Sequence, residues 1–366
     1  MTISVAPRRR SSSTTKLPKK PAPPVTSTRF CAHGKLLTAG DATTNSRGMS
    51  GARMRYVVTG CYGFVGGYLV QHLTEHDPGA VIAAVDRDTP RSDFPTVTTS
   101  YAVDLLDAGA LAAVIEREQP DRLIHLASFS SVGFSWQRPV DSFQNNTNIF
   151  LNVLECVRKL SPHTRILSVG SSEEYGRVGA GELPLGETTT LRPLSPYAVA
   201  RVAQEHLGEV YAQGFGLDIV ATRSFNHVGS GQSPAFVVSA IGKQFAEVVR
   251  GTRDRISVGT TSVVRDFLDV RDVVRAYRLL LERGERGEVY NICSGHGTSI
   301  ADVIARFAAI TGASPPIVGD PALVRPVENE IVVGSHDKIA ARVGWRPTYA
   351  LDDSLRAVFD YWRARV

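Results

Sequence analysis

The stretch Arg-Tyr-Val-Val-Thr-Gly-Cys-Tyr-Gly-Phe-Val-Gly, Arg55 to Gly66, drives a short apolar run straight into glycines 60, 63 and 66. Such a run reads as a buried strand, and closely spaced glycines permit a tight turn and a near approach of backbone to backbone or to a ligand. Gly60 would make the turn, Gly63 would let backbone N–H groups approach a pyrophosphate, and Gly66 would let the next helix sit close to the strand. That helix, opening at Phe64 and Val65, would bring its positive N-terminal end to the same place. The spacing departs from the usual G-x-G-x-x-G, and an ordinary turn remains an alternative. The strand before it and the amphipathic stretch Tyr68 to Leu73 after it predict a strand-turn-helix cradle for a dinucleotide.

A cradle of this kind asks for a carboxylate about 20 residues further on, where the next strand ends beside the adenosine ribose. Asp86 closes the apolar run Ala80 to Val85 and meets that demand. A carboxylate there suits NAD, whereas Arg87 beside it suits the 2′-phosphate of NADP, so both cofactors stay open. Without a cradle, Asp86-Arg87 is a solvated loop. Asp104, followed by Leu105, ends the next run and is placed to meet the adenine.

With 366 residues, 43% of them hydrophobic, the chain can bury a large core in one large or two closely joined domains. No stretch is long and apolar enough to span a membrane. Cysteines 31, 61, 156 and 293 form no C-x-x-C pair and no metal-ligand spacing, so neither a disulfide framework nor a metal site is indicated, and a reducing cytoplasm is the expected setting.

The net charge of +5 conceals a division. Residues 1–53 hold ten Lys or Arg against one acid, Asp41; subtracting that +9 from +5 leaves −4 for the remainder, whose charge makes no case for nucleic-acid binding. The basic tail leaves nucleic-acid binding open for itself, and its Arg8-Arg9-Arg10 run and Ser, Thr and Pro content also fit an organelle transit peptide. The expectation is a disordered extension, or an upstream start ahead of Met49 or Met54.

Beyond residue 53, apolar runs alternate with helical patterns, the signature of a doubly wound α/β chain with a parallel Rossmann-type sheet. Strands are expected at Arg55–Thr59, Val81–Val85, Thr98–Val103, Arg122–Ala127, Arg165–Val169 and Asp218–Ser224, with helices at Phe64–Glu75, Ala108–Glu118, Asp141–Leu160 and Tyr197–Gln213. Residues 54–225 would form most of the dinucleotide-binding domain. Residues 226–366 would form most of a smaller substrate-binding α/β domain, with helices at Ile300–Thr311 and Leu351–Arg363 and some chain crossing back to the sheet. Right-handed crossovers put all strand C-termini at one edge, where ligands bind.

The segments just past those C-termini carry the chemistry. Gly170 to Gly176, Gly-Ser-Ser-Glu-Glu-Tyr-Gly, sets hydroxyls and carboxylates beside the cofactor, or is simply a serine-capped turn. In Ser195 to Arg201, Ser-Pro-Tyr-Ala-Val-Ala-Arg, Tyr197 and Arg201 stand four apart on one helix face. A lone tyrosine is core or surface. Near a fixed cation, a phenol can exchange a proton at a carbonyl or alcohol, because the cation favours the phenolate against an ordinary pKa of about 10.

Together with His125-Leu126-Ala127-Ser128, Ser130-Ser131-Val132, Ser224 to Gly229, Val264-Arg265-Asp266-Phe267 and Tyr290 to Gly295, these segments make the chain from Met54 onward resemble the extended short-chain dehydrogenase/reductases. Within that family it is most similar to GDP-6-deoxy-4-keto-D-mannose reductases, which form GDP-D-rhamnose, and next to GDP-mannose 4,6-dehydratases. The resemblance implies that Tyr197 donates and accepts the proton, that Ser171 hydrogen-bonds the sugar O4, and that hydride passes between nicotinamide and C4. It implies cofactor contacts at Gly60, Gly63, Phe64, Val65, Gly66, Asp86, Arg87, Asp104, Leu105, Leu126, Ala127, Tyr197 and Arg201. Arg201 stands where the family has lysine; arginine keeps the charge but is bulkier and planar, so reduced or re-tuned activity is expected, a dead site being the alternative.

Glu173 falls where the dehydratases carry the carboxylate that moves protons at C5 and C6, but the reductases share the Ser-Ser-Glu-Glu-Tyr run. The Asn226 to Gly229 stretch and the compact loops favour the reductase; a GDP-mannose dehydratase and a non-catalytic nucleotide-binding protein are the alternatives. By the same resemblance the GDP-sugar meets Ser131, Ser172, Asn226 and Lys243, with Arg265 and Arg325 on the diphosphate and Glu328 on the ribose. Lys243 reads equally as a solvated lysine, and Arg265 could instead pair with Asp266 or Asp269. Asn291 and Ser294 could simply close a turn; Trp136, Trp345 and Trp362 read as core or interface anchors. Relatives of this kind imply a homodimer built through Asp141–Leu160 and Tyr197–Gln213.

Overall fold

The apolar runs of the first half become the strands of one parallel sheet. The structure, a computed structural model, describes residues 53–90, 94–179, 181–324, 327 and 329–366. The basic extension as far as residue 52, and the expected nucleotide contacts Arg325 and Glu328, lie outside the described residues.

In chain order the first half runs β1 (Arg55–Thr59), α1 (Phe64–His76), β2 (Val81–Asp86), β3 (Thr99–Ala102), α2 (Ala108–Glu118), β4 (Arg122–His125), α3 (Val132–Gln137), α4 (Pro139–Phe143), α5 (Ile149–Leu160), β5 (Arg165–Ser171), α6 (Pro196–Gly214) and β6 (Asp218–Ser224). The second half runs β7 (Asn226–Val228), α7 (Val237–Arg250), β8 (Ile256–Val258), β9 (Val264–Asp269), α8 (Val270–Arg283), β10 (Val289–Ile292), β11 (Gly297–Ser299), α9 (Ile300–Thr311), β12 (Ile317–Gly319), β13 (Ile331–Val332), α10 (Asp337–Val343) and α11 (Leu351–Arg363).

The large sheet has seven strands in the order β10-β6-β5-β4-β1-β2-β3, all parallel. Strand order reverses between β1 and β4, which opens a crevice at their C-terminal ends. Both sheet faces are buried, and the period-two alternation of β1 serves both: Val58 packs with Leu69, Leu73 and Tyr277, Val57 with Leu111, Ile115, Phe150 and Leu154. A third core, in which Phe245 and Phe307 stack at 5.6 Å with Val358 and Phe359 around them, joins α7, α9 and α11 to β8 and β9. β9 is also the hub of a small sheet, parallel to β7 and β13 and antiparallel to β11.

Four expectations change. Val289–Ile292 is a seventh strand of the large sheet rather than only a motif, so the second half does cross back. Asp141–Leu160 is not one regular helix: a π-helical segment, Gln144–Asn148, separates α4 from α5. The Asn145 and Asn146 side chains donate to the carbonyls of Asp141 and Ser142 at 3.0 and 2.7 Å, competing with the helical ladder. The third and fourth strands are shorter than expected, β4 ending at His125 before Leu126 and Ala127. β5 is longer and takes in Gly170 and Ser171, so the proposed O4 contact is the strand's last residue.

Candidate active site

The β1–α1 turn has the shape the glycines predict. Gly60 has φ +66°, and a Cβ there would lie 2.6 Å from the Ala127 Cα beyond the end of β4. A Cβ at Gly66 would lie 1.9 Å from the Cys61 carbonyl oxygen, so only glycine lets α1 lie this close to the turn. Gly63 is the N-cap of α1, with no side chain capping the helix and no acid in its first turn. The N-terminal amides of α1 are thus uncapped by side chains at the crevice, a setting for an anionic phosphate. Asp86 at the end of β2 accepts the Tyr62 N–H at 2.9 Å, and exposed Arg87 reaches across the crevice to lie 5.2 Å over the Phe129 ring. Asp104 accepts the Leu106 N–H at 2.9 Å, while Leu105 is buried in the core below. These residues fit a dinucleotide. Cys61 in the turn is inert, since burial first and the Asp86 charge second push its thiol up to about 12.

α6 starts on Ser195, whose Oγ accepts the Ala198 N–H at 3.1 Å, with Pro196 in the first turn. Its inner face carries Tyr197 and Arg201, both buried, the guanidinium 5.2 Å from the phenol ring centre. Among the described residues, Tyr197 Oη has no hydrogen-bond partner. Arg201 is held firmly: Nη1 donates to Val169 O at 3.0 Å and to Gln204 Oε1 at 2.5 Å, and Nη2 donates to Ser128 Oγ. Gln204 in turn donates to Ser168 Oγ at 2.9 Å. The bulk of arginine is therefore accommodated by groups at the ends of β4 and β5. Next to it, His125 meets Thr59 Oγ1 at 2.8 Å, and burial first, then the Arg201 charge, lower its pKa to about 3, so its ring is neutral.

Ser171 Oγ accepts the Glu173 N–H at 3.2 Å, which leaves its own proton to donate elsewhere. The turn it caps borders a small cleft lined by Ser172, Glu173, Asn226 and Arg265. Four of the expected substrate or catalytic residues thus share one wall system. Asn226 Nδ2 donates to Asp266 O at 3.2 Å, and Arg265 Nη1 donates to the carbonyls of Val264 and Asn329, both at 2.9 Å. Asp266 is instead engaged by Ser294 Oγ at 2.7 Å and Asp269 by Arg271 at 2.8 Å.

Other expected contacts lie elsewhere. Ser131 caps α3, accepting the Phe134 N–H at 3.2 Å, while its neighbour Val132 lines the cleft. Lys243 is not in the cleft lining; on α7 it pairs with Glu247 at 3.7 Å and lies 5.5 Å over Trp362, the solvated alternative. Asn291 is a buried stitch, accepting the Tyr175 hydroxyl at 2.7 Å and donating to Leu185 O at 2.8 Å. Trp345 is core, Trp362 packs on the third core, and Trp136 is 40% exposed. Sequence reasoning missed Asn329, whose Nδ2 donates to Gly176 O at 2.5 Å across the cleft, and the supports Ser128, Ser168 and Gln204. No described helix is long and apolar enough to cross a membrane, and no described cluster of His, Cys, Asp and Glu could hold a metal.

Comparison with known proteins bears on the same segments. The family model for GDP-mannose 4,6 dehydratase matches residues 57–358. The chain belongs to this family. It is similar to the GDP-6-deoxy-D-mannose reductase of Pseudomonas aeruginosa, with 35% identity over 85% of this chain and 98% of that one. A solved structure of RMD from Pseudomonas aeruginosa complexed with NADPH superposes with a TM-score of 0.77 at 34% identity, covering 86% of this chain and 100% of the other. The UDP-glucose 4-epimerase of Thermus thermophilus, solved with NAD, gives 0.76 at 31% identity over 86% and 100%. The doubly wound α/β fold with a Rossmann-type parallel sheet, the family resemblance and the NAD(P) cofactor class stand as the sequence implied them.

Proposed function

We propose that the chain reduces the C4 keto group of GDP-4-keto-6-deoxy-D-mannose to give GDP-D-rhamnose, with NADPH or NADH as reductant. The carrying observation is the 35% identity that extends over 98% of a GDP-6-deoxy-D-mannose reductase. Residues 54–225 bind mainly the cofactor and residues 226–366 mainly the sugar nucleotide. When bound, the nicotinamide supplies the hydride for C4.

The chain's own groups do the rest. Ser171, its lone pair already engaged by the Glu173 amide, donates its proton to O4 and orients the ketone. Tyr197 transfers a proton to O4 as the carbonyl becomes an alcohol, and the Arg201 guanidinium steadies the phenolate left behind. Arg265, its Nη1 held by the Val264 and Asn329 carbonyls, brings positive charge to the cleft wall for the diphosphate, and Asn226 lines the same wall. The protein works as a homodimer in the cytoplasm, with the exposed Trp136, Val140 and Phe143 on α3 and α4 and Val199 and Val210 on α6 among the apolar side chains available to the partner.

Glu173 in the cleft, together with the family model, favours a second reading, dehydration of GDP-mannose, in which the carboxylate moves protons and cofactor is not consumed. Absorbance of NADPH, then NADH, in the presence of each sugar nucleotide separates the two. Oxidation with the 4-keto sugar is expected; loss of GDP-mannose without net oxidation overturns the reductase.

A further inference from the structure

Behind the Ser171 turn lies a charge cluster that the proposed reaction does not use. Two carboxylates, Glu174 and Glu205, face the single guanidinium of Arg223 on β6. Arg223 Nε and Nη2 donate to the two oxygens of Glu205 on α6 at 2.9 and 2.7 Å, and Nη1 donates to Glu187 O at 2.9 Å. Every nitrogen of the fork is thereby committed. Glu174 is fully buried, yet its Oε2 has no hydrogen-bond partner and lies 3.8 Å from Arg223 Nε.

The other oxygen of Glu174, Oε1, accepts the Ser171 N–H at 2.6 Å and closes the capping box of the Ser172–Tyr175 turn. Gly170 leaves the room for it, since a Cβ there would stand 2.5 Å from Oε1. The other ionisable groups near the cluster are Tyr175 of the same turn, its ring 4.9 Å under Arg223, Glu187, whose carboxylate accepts the Asn291 N–H at 2.8 Å, and His206, which follows Glu205 on α6 and meets Glu209 at 3.3 Å. Glu205 and Arg223 also border an open pocket, whereas Glu174 is fully enclosed; with the one cation committed to Glu205, the enclosed Glu174 stays protonated. Burial first, and then the Glu205 charge, push the Glu174 carboxyl well above its ordinary range. Burial acts to raise Glu205 as well, but its hydrogen bonds to Arg223 hold it low.

We propose that Glu174 is a positioning residue of the active site: its carboxyl, wedged between the Ser171 amide and the Arg223–Glu205 pair, directs the Ser171 hydroxyl and presents Glu173 to the cleft. This rests on the reading of Ser171 and Glu173 as active-site groups. Ionisation would set a second negative charge beside Glu205 and loosen the turn, so turnover falls on the alkaline side.

The test uses the full chain with Glu174→Leu and Glu174→Gln, measuring kcat and KM across pH on the sugar nucleotide that the wild type turns over. Leucine removes the acceptor of the Ser171 amide, and kcat falls by about tenfold to a hundredfold with KM within about twofold. Glutamine keeps a carbonyl acceptor without titrating, so it restores most of that loss, and its alkaline fall moves to higher pH. A leucine variant with wild-type kcat, or a glutamine variant whose alkaline fall coincides with the wild type, overturns the proposal. Should the leucine variant not fold, the glutamine profile decides alone.

Should the wild type turn over neither sugar nucleotide, the functional reading fails and melting temperatures judge Glu174 separately. A raised folded pKa contributes stability that is present below the unfolded value of about 4.3 and is lost as pH rises through the folded value. The wild type must then lose stability relative to the glutamine variant as pH rises, and parallel curves overturn the proposal.

Discussion

Replacing Arg201 by methionine removes the cation beside the tyrosine while keeping a long side chain in the same slot. The guanidinium lies 5.2 Å from the Tyr197 ring centre. Taking that spacing as the scale of the separation, about 5 Å, with an effective dielectric constant of about 20, the cation contributes on the order of 3 kcal/mol to a negative charge developing on the phenol. Losing that lowers kcat about a hundredfold. The change also strips Val169 O, Gln204 Oε1 and Ser128 Oγ of their shared donor, so the melting temperature falls too. Lysine separates the two effects. It keeps the charge, but one ammonium cannot reproduce a fork whose Nη1 serves Val169 and Gln204 while Nη2 serves Ser128. Arg201→Lys therefore loses about one charged hydrogen bond, roughly 1.5–3 kcal/mol of stability, with kcat within about tenfold of wild type. Steady-state kinetics and thermal melts on both variants check this. A methionine variant with wild-type kcat, or a lysine variant more stable than the parent, refutes this role for Arg201.

Tyr197→Phe lowers kcat by about 10²–10⁴ with little change in KM, and near-wild-type turnover would remove Tyr197 from proton transfer. Gly60→Ala strains a φ of +66° by about 1–2 kcal/mol and drives a Cβ to 2.6 Å from the Ala127 Cα, so fluorescence titration should show NADPH binding lost. His125 has a depressed folded pKa, about 3, so its stabilising contribution is present above the unfolded value and lost as pH falls; the melting temperature drops below about pH 6.5 and drops less in His125→Asn.

The glycine turn, Asp86 and the Tyr197–Arg201 face were legible because each depends on local spacing: three close glycines, the end of an apolar run, and one helical turn. What the sequence hid depends on distant partners. Asn291 looks wrong inside a strand until Tyr175 and Leu185 supply its hydrogen bonds, which is why β10 escaped notice as a seventh strand. Gln204 reads as an ordinary polar helix residue, and only the approach of β5 puts Ser168 within 2.9 Å of it and makes it the brace for Arg201. Asn145 and Asn146 carry no periodic signal of the π-helical segment they sustain. Glu174 and Glu205 are far apart in the chain, and it is β6 that brings Arg223 to both of them.

The most direct test of the reductase supplies the reaction with NADPH deuterated at the transferable C4 position and follows the sugar nucleotide by NMR. GDP-4-keto-6-deoxy-D-mannose should become GDP-D-rhamnose with deuterium at sugar C4 and one cofactor oxidised per product. Conversion of GDP-mannose to the 4-keto sugar with no deuterium gained and no NADPH consumed would rule the reductase out.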